Sequence, residues 1–202
     1  MSEHLAQPPQ AKPAAPARRI IRALLMLTGL IILAIGVLWI PVGQYISRVR
    51  RAECRSHVKQ IAVALQQYHD KHGSFPPAYT VGVGGEKLHS WRSLILPHLG
   101  YGELSAQIRW DEPWNSPHNK ALSERSPEIY ACPSAMETSK GRTNYFAIVG
   151  RTTVWPEQHS VSIDRITDGT SNTILLLEAN IAGVNWMQPQ DVSPDQAVDW
   201  FQ

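Results

Sequence analysis

Residues 23–47, ALLMLTGLIILAIGVLWIPVGQYIS, contain no charged side chain, and this stretch decides the prediction of the fold. At about 1.5 Å per residue, a helix of this length exceeds the roughly 30 Å hydrocarbon core of a bilayer. Trp39 and Tyr45 lie near its C-terminal end, where aromatic rings favour the membrane interface. A cleaved signal peptide is the alternative. Because the apolar run is long and residues 41–45 form a poor cleavage site, the pattern favours an uncleaved transmembrane helix over 20–47.

The helical pattern continues beyond the apolar stretch. Apolar residues recur there at spacings of three and four, which places them on one face of a helix. They are Cys54, Val58, Ile61, Leu65 and Tyr68. Gly73 fits the position after a helix end, and Pro76-Pro77 cannot continue a helix. We therefore predict one helix over 20–72, interrupted only by Pro41, with its first half in lipid and its second half packed on a head over 48–202.

The charge distribution excludes some partners. The 202 residues carry a net charge of +2, which is too small for a nucleic-acid-binding protein. Residues 1–59 hold nine basic and two acidic residues, a charge of +7, and residues 60–202 hold ten and fifteen, a charge of −5. Residues 1–19 are rich in alanine and proline and have one large aliphatic side chain, so we predict a disordered tail. The partner that the composition indicates is the lipid bilayer.

The head shows the mixed pattern of an α+β fold. Short helices are predicted at 91–99 and 103–108, and strands at 143–149 and 173–178. Asp168-Gly169 is a strong turn signal, and Gly82-Val-Gly84-Gly85 is typical of a hairpin or loop. The predicted architecture is a long N-terminal helix packed on a small antiparallel sheet with long loops.

Short motifs in the head resemble a large bacterial family of unknown function with a pilin-like N-terminus, expanded in planctomycetes and sometimes labelled solute-binding-type. The resemblance extends over about residues 48–200. Its motifs are Cys54-Arg-Ser-His-Val-Lys-Gln-Ile61, Gly73-Ser-Phe-Pro-Pro77, Ser90-Trp91-Arg92, Glu112-Pro-Trp-Asn-Ser-Pro-His-Asn119, Tyr130-Ala-Cys132-Pro-Ser134, Thr143-Asn144-Tyr145 and Ile166-Thr-Asp-Gly-Thr-Ser-Asn-Thr-Ile174.

The resemblance implies a pilin- or pseudopilin-like head held outside the cytoplasm by its N-terminal helix, with the short tail inside and no established enzyme activity. This sequence departs from the family in its N-terminal region. The apolar stretch follows Arg18-Arg-Ile-Ile-Arg22, without the glycine of a prepilin cleavage motif and without a glutamate inside the membrane segment. In a pilus that glutamate helps to align subunits, because a charge buried in lipid needs a partner.

Two cysteines, Cys54 and Cys132, both follow the apolar stretch. A disulfide between them would close a loop of about 80 residues and stabilise the head by roughly 3–4 kcal/mol in a chain-entropy model. It would also place the head in an oxidising compartment. Two unpaired buried thiols are the alternative that the sequence leaves open.

Other candidate sites have simpler explanations. His69 and His72 could place two metal ligands on one helix face, but spacing supplies no third ligand. Asp164 and Asp168 could bind calcium, although the Asp-Gly turn accounts for them. Trp110, Trp114 and Trp155 could form a recognition surface for a carbohydrate or a peptide, or they could fill gaps in the core. We expect no catalytic residue, no metal and no cofactor.

The sequence thus predicts a single-pass protein of the inner (cytoplasmic) membrane, with its head in the periplasm or an equivalent compartment. The expected role is non-enzymatic and pseudopilin-like, through self-association or contact with other pilin-like subunits. A tethered module that binds carbohydrate or peptide is the alternative, and an extracytoplasmic hydrolase is a third reading.

Overall fold

A computed structural model of the full chain describes residues 15–135, 141–181 and 183–199. Within these residues the chain divides into two compact units between Ser47 and Arg48. The first unit is the apolar part of one long helix. The second unit contains the rest of that helix and the head.

Helix α1 covers Ala15–His72 and is continuous through both units. Its stretch Arg19–His72 is long and apolar enough to cross a membrane, by length and composition. The large aliphatic side chains described between Ile20 and Val37 are all exposed, as expected for a surface that needs an apolar environment. A signal sequence near an N-terminus has the same properties.

The ends of α1 fit its sequence. Gly73 has a φ of +77°, and its N–H donates to the His69 carbonyl oxygen at 2.7 Å, which is the left-handed cap that the glycine predicts. At the other end, α1 is described from Ala15 onward, which is the first residue that the structure describes. Of the tail predicted to be disordered over 1–19, residues 15–19 belong to α1, and residues 1–14 lie outside the described residues.

The second half of α1 packs on the head through the predicted stripe. Cys54, Ile61 and Leu65 are buried, and Val58 and Tyr68 are partly buried against the same core. The Tyr145 hydroxyl donates to the Cys54 carbonyl oxygen at 3.3 Å, which adds a polar contact between helix and head. The apolar periodicity of residues 54–68 thus identified the face that packs.

A β-hairpin follows the helix. Strand β1 (Tyr79–Val81) pairs antiparallel with β2 (Lys87–Ser90). The glycine-rich segment between them forms the turn, where the Gly82 N–H donates to the Glu86 carbonyl oxygen and Gly85 takes a φ of +85°. The sequence predicted either a hairpin or a loop for this segment, and the structure shows a hairpin.

Short helices form the middle of the head. They are α2 (Trp91–Leu94), a 3₁₀ turn (Leu96–Leu99), α3 (Gly102–Gln107), α4 (Pro117–Ser123) and a 3₁₀ turn (Glu128–Tyr130). The first three lie where helix was predicted at 91–99 and 103–108. Helix α4 was not predicted, although Ser116 and Pro117 are favourable residues for the start of a helix.

A second antiparallel pair joins β3 (Tyr145–Phe146) to β4 (Leu177–Glu178). Both strands lie inside the predicted ranges but are shorter. Single bridges from Ile148 to Val192 and from Val149 to Trp155 replace a longer ladder. Two further 3₁₀ turns (Ile163–Arg165 and Thr170–Asn172) precede β4, and helix α5 (Pro194–Asp199) follows it. The predicted α+β class, with a long N-terminal helix and small antiparallel sheets, is confirmed.

Two apolar clusters hold the head together. The larger cluster collects one face of α1, the residues around α2 and the buried tryptophans. The smaller cluster centres on Phe146, Leu177, Val184 and Val192 and receives Ala197 of α5. Because the described sheets have only two strands each, tertiary packing and long-range polar contacts must position most of the loops.

Candidate functional site: the disulfide and the buried polar clamps

A disulfide joins Cys54 of α1 to Cys132, across 78 residues of sequence and a Cα–Cα distance of 5.1 Å. Both residues are buried, with exposed fractions of 3% and 0%. The bond ties the helix to the segment that follows the Glu128–Tyr130 turn. The predicted pairing is confirmed, and the alternative with two free thiols is excluded. Glu178 lies close to both sulfur atoms, but a disulfide has no thiolate to offer a metal.

The Arg92 side chain is fully buried next to the Asp191 carboxylate. The Arg92 Nη2 atom lies 2.6 Å from the Asp191 Oδ1 atom. The remaining guanidinium donors bond to the Ser90 hydroxyl at 2.6 Å and to the Tyr145 carbonyl oxygen at 3.0 Å. The Nη1 and Nη2 groups also reach the carbonyl oxygens of residues 188 and 190 at 3.4 and 3.3 Å. A buried guanidinium with its donors bonded in this way fixes several loops at once.

Three donors from two parts of the head, α2 and the residue after β3, converge on Asp191. Its Oδ1 atom accepts from the Trp91 indole N–H at 3.1 Å and from the Ala147 backbone N–H at 2.9 Å, besides Arg92. Burial raises the pKa of Asp191, and the Arg92 guanidinium with the N–H donors opposes that rise. Burial likewise lowers the pKa of Arg92, opposed by Asp191. We treat the pair as ionised, since a guanidinium does not lose its proton in proteins.

Asn119 forms a second buried clamp. Its Oδ1 atom accepts from the Arg109 N–H at 3.0 Å, and its Nδ2 group donates to the carbonyl oxygens of Arg109, Glu112 and Pro113 at 2.9–3.2 Å. One amide side chain therefore satisfies four backbone groups of the loop over 109–113. The Ser116 hydroxyl accepts from the Asn119 N–H at 3.2 Å and caps α4, which holds the asparagine in place.

Asn144 forms a third clamp next to the disulfide. Its side-chain oxygen accepts from the Cys132 N–H at 2.9 Å, and its backbone bonds to Tyr130 and Ala179 at 2.9 and 2.8 Å. The Tyr130 hydroxyl donates to the Arg92 carbonyl oxygen at 2.7 Å, and burial raises the pKa of Tyr130 well above its usual range. Asn144 and Tyr130 thus connect the disulfide segment to the Arg92 clamp.

The motifs that carry the family resemblance supply these clamps. Arg92, Asn119 and Asn144 each belong to a different motif. The polar atoms of each side chain form hydrogen bonds to backbone or side-chain partners inside the head. Because these atoms are already bonded and buried, they are not available to act on a substrate. Sequence inspection identified the motifs but not this role, since Asp191, the partner of Arg92, lies 99 residues further along the chain.

The proposed tryptophan surface is not assembled. Trp155 has an exposed fraction of 0%, and its indole N–H donates to the Leu175 carbonyl oxygen at 2.8 Å, so its inclusion in a recognition surface is wrong. Its ring packs 5.3 Å from the Trp91 ring, in the core. Trp114 is half-buried against the same core, and Trp110 is 39% exposed.

His89, which the sequence did not single out, lies beneath Trp110. His89 is fully buried, and its ring meets the Trp110 ring edge to face, with the ring centroids 5.0 Å apart. Neither ring nitrogen has a hydrogen-bond partner of acceptable geometry, although backbone groups of Arg109, Trp110 and Glu112 face the ring. Burial lowers the pKa of His89, so the neutral form is favoured in the folded head.

The remaining candidate metal ligands either contact other residues of the head or are exposed. The His69 Nε2 atom accepts from the Ile163 N–H at 3.1 Å, and the His72 ring stacks on Tyr68 at 4.2 Å, so the two rings serve packing. Asp164 is exposed, and a hydrogen bond from Ser162 lowers the pKa of its carboxyl. Asp168 is exposed in the turn that Gly169, with a φ of +82°, completes.

A shallow apolar groove lies between α1 and the loop before β4. Its volume is about 260 Å³. Its lining includes Ala62, Gln66, Phe75, Ile163, Ile166 and Leu175. Next to it, Ile174 of the Asp-Gly motif is 60% exposed. In contrast to the clamps, the polar side chains of this motif make local bonds, such as Asn172 to the Asp168 carbonyl oxygen at 3.0 Å.

Fold and clamps together define a disulfide-bonded α+β head that directly follows a helix able to span a membrane. A family model described as "Protein of unknown function (DUF1559)" matches residues 48–162, more than half of the chain. The protein belongs to this family. The match ends before the Asp-Gly motif over 166–174. No curated protein and no solved structure matches the chain.

Proposed function

We propose that the protein is a single-pass membrane protein of the inner membrane whose head lies outside the cytoplasm. The observation that carries this proposal is the disulfide, which begins at Cys54, seven residues beyond the uncharged stretch over 23–47. A structural disulfide persists in an oxidising compartment, so the chain after α1's apolar part belongs on the extracytoplasmic side. The helix over 20–47 then anchors the head, and the tail over 1–19 faces the cytoplasm.

Within that location, the proposed role is structural and non-enzymatic, as a pseudopilin-like component that associates through its helix. The continuity of α1 from the apolar stretch into the head supports this role, since a pilin-like subunit needs such a helix. The buried clamps support it too, because the motif side chains serve packing. The apolar surface over Ile20–Val37 would be covered by lipid and by the helices of neighbouring subunits.

Photo-crosslinking in cells tests the role. A photo-reactive residue replaces Leu33, which lies in the apolar stretch with a 65% exposed side chain. We expect a regular ladder of self-multimers after irradiation, because association through the helix brings this position of one copy against another. The matched control places the same probe at the exposed head residue Lys120, and we expect that probe to give a different pattern. Monomer alone, or a single foreign band, from Leu33 contradicts the pseudopilin-like role.

The second candidate is a tethered module that binds an apolar peptide or a carbohydrate. The groove beside α1 favours it, since a groove of about 260 Å³ with apolar lining and an exposed Ile174 offers a small binding surface. The buried Trp155 argues against recognition through stacked tryptophans. A Leu33 probe that captures one foreign protein in place of a ladder would favour this module.

A further inference from the structure

Four basic side chains form a stripe at the start of the head's helix. Arg48, Arg51, Arg55 and Lys59 follow the uncharged stretch directly and are all exposed. At 100° per residue they fall within an arc of about 80° on α1. We call this surface the basic stripe.

Within the part of the chain that the structure describes, the basic stripe has no ion-pair partner. Glu53, the acidic residue in this part of the helix, lies on the opposite side of α1, where its charge acts on Tyr145. The helix buries a neighbouring face through Cys54, Ile61 and Leu65, so the stripe stays at the surface next to the packed face.

The height of the stripe matches the surface of a membrane. Lys59 lies about 16 Å along the helix from Arg48, at 1.5 Å per residue. The headgroup region of one leaflet is roughly 5–7 Å thick. When the hydrocarbon core ends at Ser47, Arg48 and Arg51 fall within that region, and Arg55 falls within about one Debye length of it.

We propose that the basic stripe binds the headgroups of anionic phospholipids in the leaflet that faces the head. The inference rests on the proposed function, in that α1 must cross the membrane. Phosphate groups complement four unpaired cations, and guanidinium groups bind phosphate oxygens in a bidentate manner. A second copy of the chain is a weaker occupant, because the acidic residues of 60–202 are spread along the whole segment. Lipid binding would hold the base of the head at a fixed height and limit its rotation.

The test uses the full chain reconstituted into vesicles of phosphatidylcholine with about 30 mol% phosphatidylglycerol, an anionic surface. Spin-labelled phosphatidylglycerol and phosphatidylcholine report by electron paramagnetic resonance which lipid the protein immobilises. The stripe variant is R48Q/R51Q/R55Q/K59Q. The matched control, K71Q/K120Q/R151Q/R165Q, removes the same charge from exposed head positions.

The wild type is expected to prefer phosphatidylglycerol at least about threefold, since one basic side chain near an anionic surface contributes roughly fivefold. The control should keep that preference. The stripe variant should lose it, and so should the wild type in about 1 M salt, where the Debye length is about 3 Å.

Two results overturn the inference. Equal immobilisation of both lipids by the wild type means that α1 is anchored but the stripe does not select anionic lipid. Loss of chemical crosslinks between copies in the stripe variant, in vesicles of phosphatidylcholine alone, means that a second copy occupies the stripe. Failure of the proposed function looks different, because the protein would then be released by alkaline carbonate and would immobilise neither lipid.

Discussion

Arg92 and Asp191 show how single residues hold this head together. Removing one partner of a buried ion pair leaves an uncompensated charge, which costs about 3–5 kcal/mol. We therefore expect Asp191→Leu to lower the free energy of unfolding by about that amount, because Arg92 would keep its charge inside the core. Denaturant unfolding of the full chain in detergent, followed by tryptophan fluorescence, measures the change.

The double variant Arg92→Met with Asp191→Leu is the informative control. It removes both charges, so we expect it to be more stable than Asp191→Leu alone. The loss of unfolding free energy in the double variant could instead equal the sum of the losses in Asp191→Leu and Arg92→Met. That result would show that the two side chains are not coupled, and the role assigned to Asp191 would be wrong.

His89 gives the head a dependence on pH. Because burial lowers the pKa of His89, the unfolded chain binds a proton more readily than the folded chain as the pH falls through about 6.5. The stability is complete above that pH and decreases below it. We expect His89→Phe, which keeps a ring under Trp110, to reduce the slope of the unfolding free energy between about pH 7 and pH 5.

The pH experiment needs two comparisons. His159→Gln, at an exposed histidine, is the matched control. Burial and the neighbouring Lys71 and His72 also lower the pKa of His98, so His98→Gln should remove part of the slope. If His89→Phe and wild type have the same slope, the buried imidazole is not the group that titrates.

At the scale of elements, the disulfide and the loop clamps replace extended sheets. Closing a loop of 78 residues lowers the entropy of the unfolded chain, which stabilises the folded head by about 4.5 kcal/mol in the chain-entropy model. We expect the pair C54A/C132A to lower the melting temperature of the full chain by roughly 10 °C or more. Thermal unfolding by circular dichroism measures it. Wild type in reducing agent should melt like the variant, and equal melting of oxidised and reduced wild type would contradict the prediction.

The Asn119 clamp can be tested with a change of one heavy atom. Asn119→Asp replaces a donating NH₂ group by an oxygen that faces the carbonyl oxygens of Arg109, Glu112 and Pro113. We expect a loss of at least about 3 kcal/mol, because three acceptors lose a partner and meet a charge. Asn115→Asp makes the same change at an exposed neighbour and should cost little. Equal losses for the two variants would mean that charge alone, and not the clamp, explains the effect.

The elements divide into those that sequence reasoning could predict and those it could not. Helix α1 was predictable because its apolar stripe and its glycine cap are local signals, and its end at His72 agrees with the prediction. The pairing of Cys54 with Cys132 was predictable because the chain offers no other cysteines. The lengths of the strands were overestimated, because residues 148 and 149 pair with Val192 and Trp155 only in single bridges. The pairing of Arg92 with Asp191 depends on the tertiary fold, and no local sequence pattern predicts it.

At the scale of the whole molecule, the fold combines two requirements in one chain. The apolar stretch over 23–47 is long and apolar enough to cross a membrane, and a structural disulfide such as that of the head persists in an oxidising compartment. The proposed topology, with α1 as a membrane anchor and the head outside the cytoplasm, is compatible with both features. The sequence also places basic residues on both sides of the apolar stretch, so charge alone leaves the orientation undecided and the disulfide becomes the stronger indicator.

The redox state of the cysteines in cells therefore reports the orientation. We expect the full chain, expressed in a bacterium, to resist a thiol-reactive polyethylene glycol maleimide until a reductant is added, because an exported head is oxidised. A variant that lacks residues 23–40 should stay in the cytoplasm and react without reductant, since that compartment keeps thiols reduced. A strain without its periplasmic thiol oxidase should give a reactive full chain.

If the full chain reacts without reductant in normal cells, the head lies on the cytoplasmic side and the proposed topology is wrong. If the shortened variant is also protected, the disulfide forms independently of export and no longer indicates the compartment.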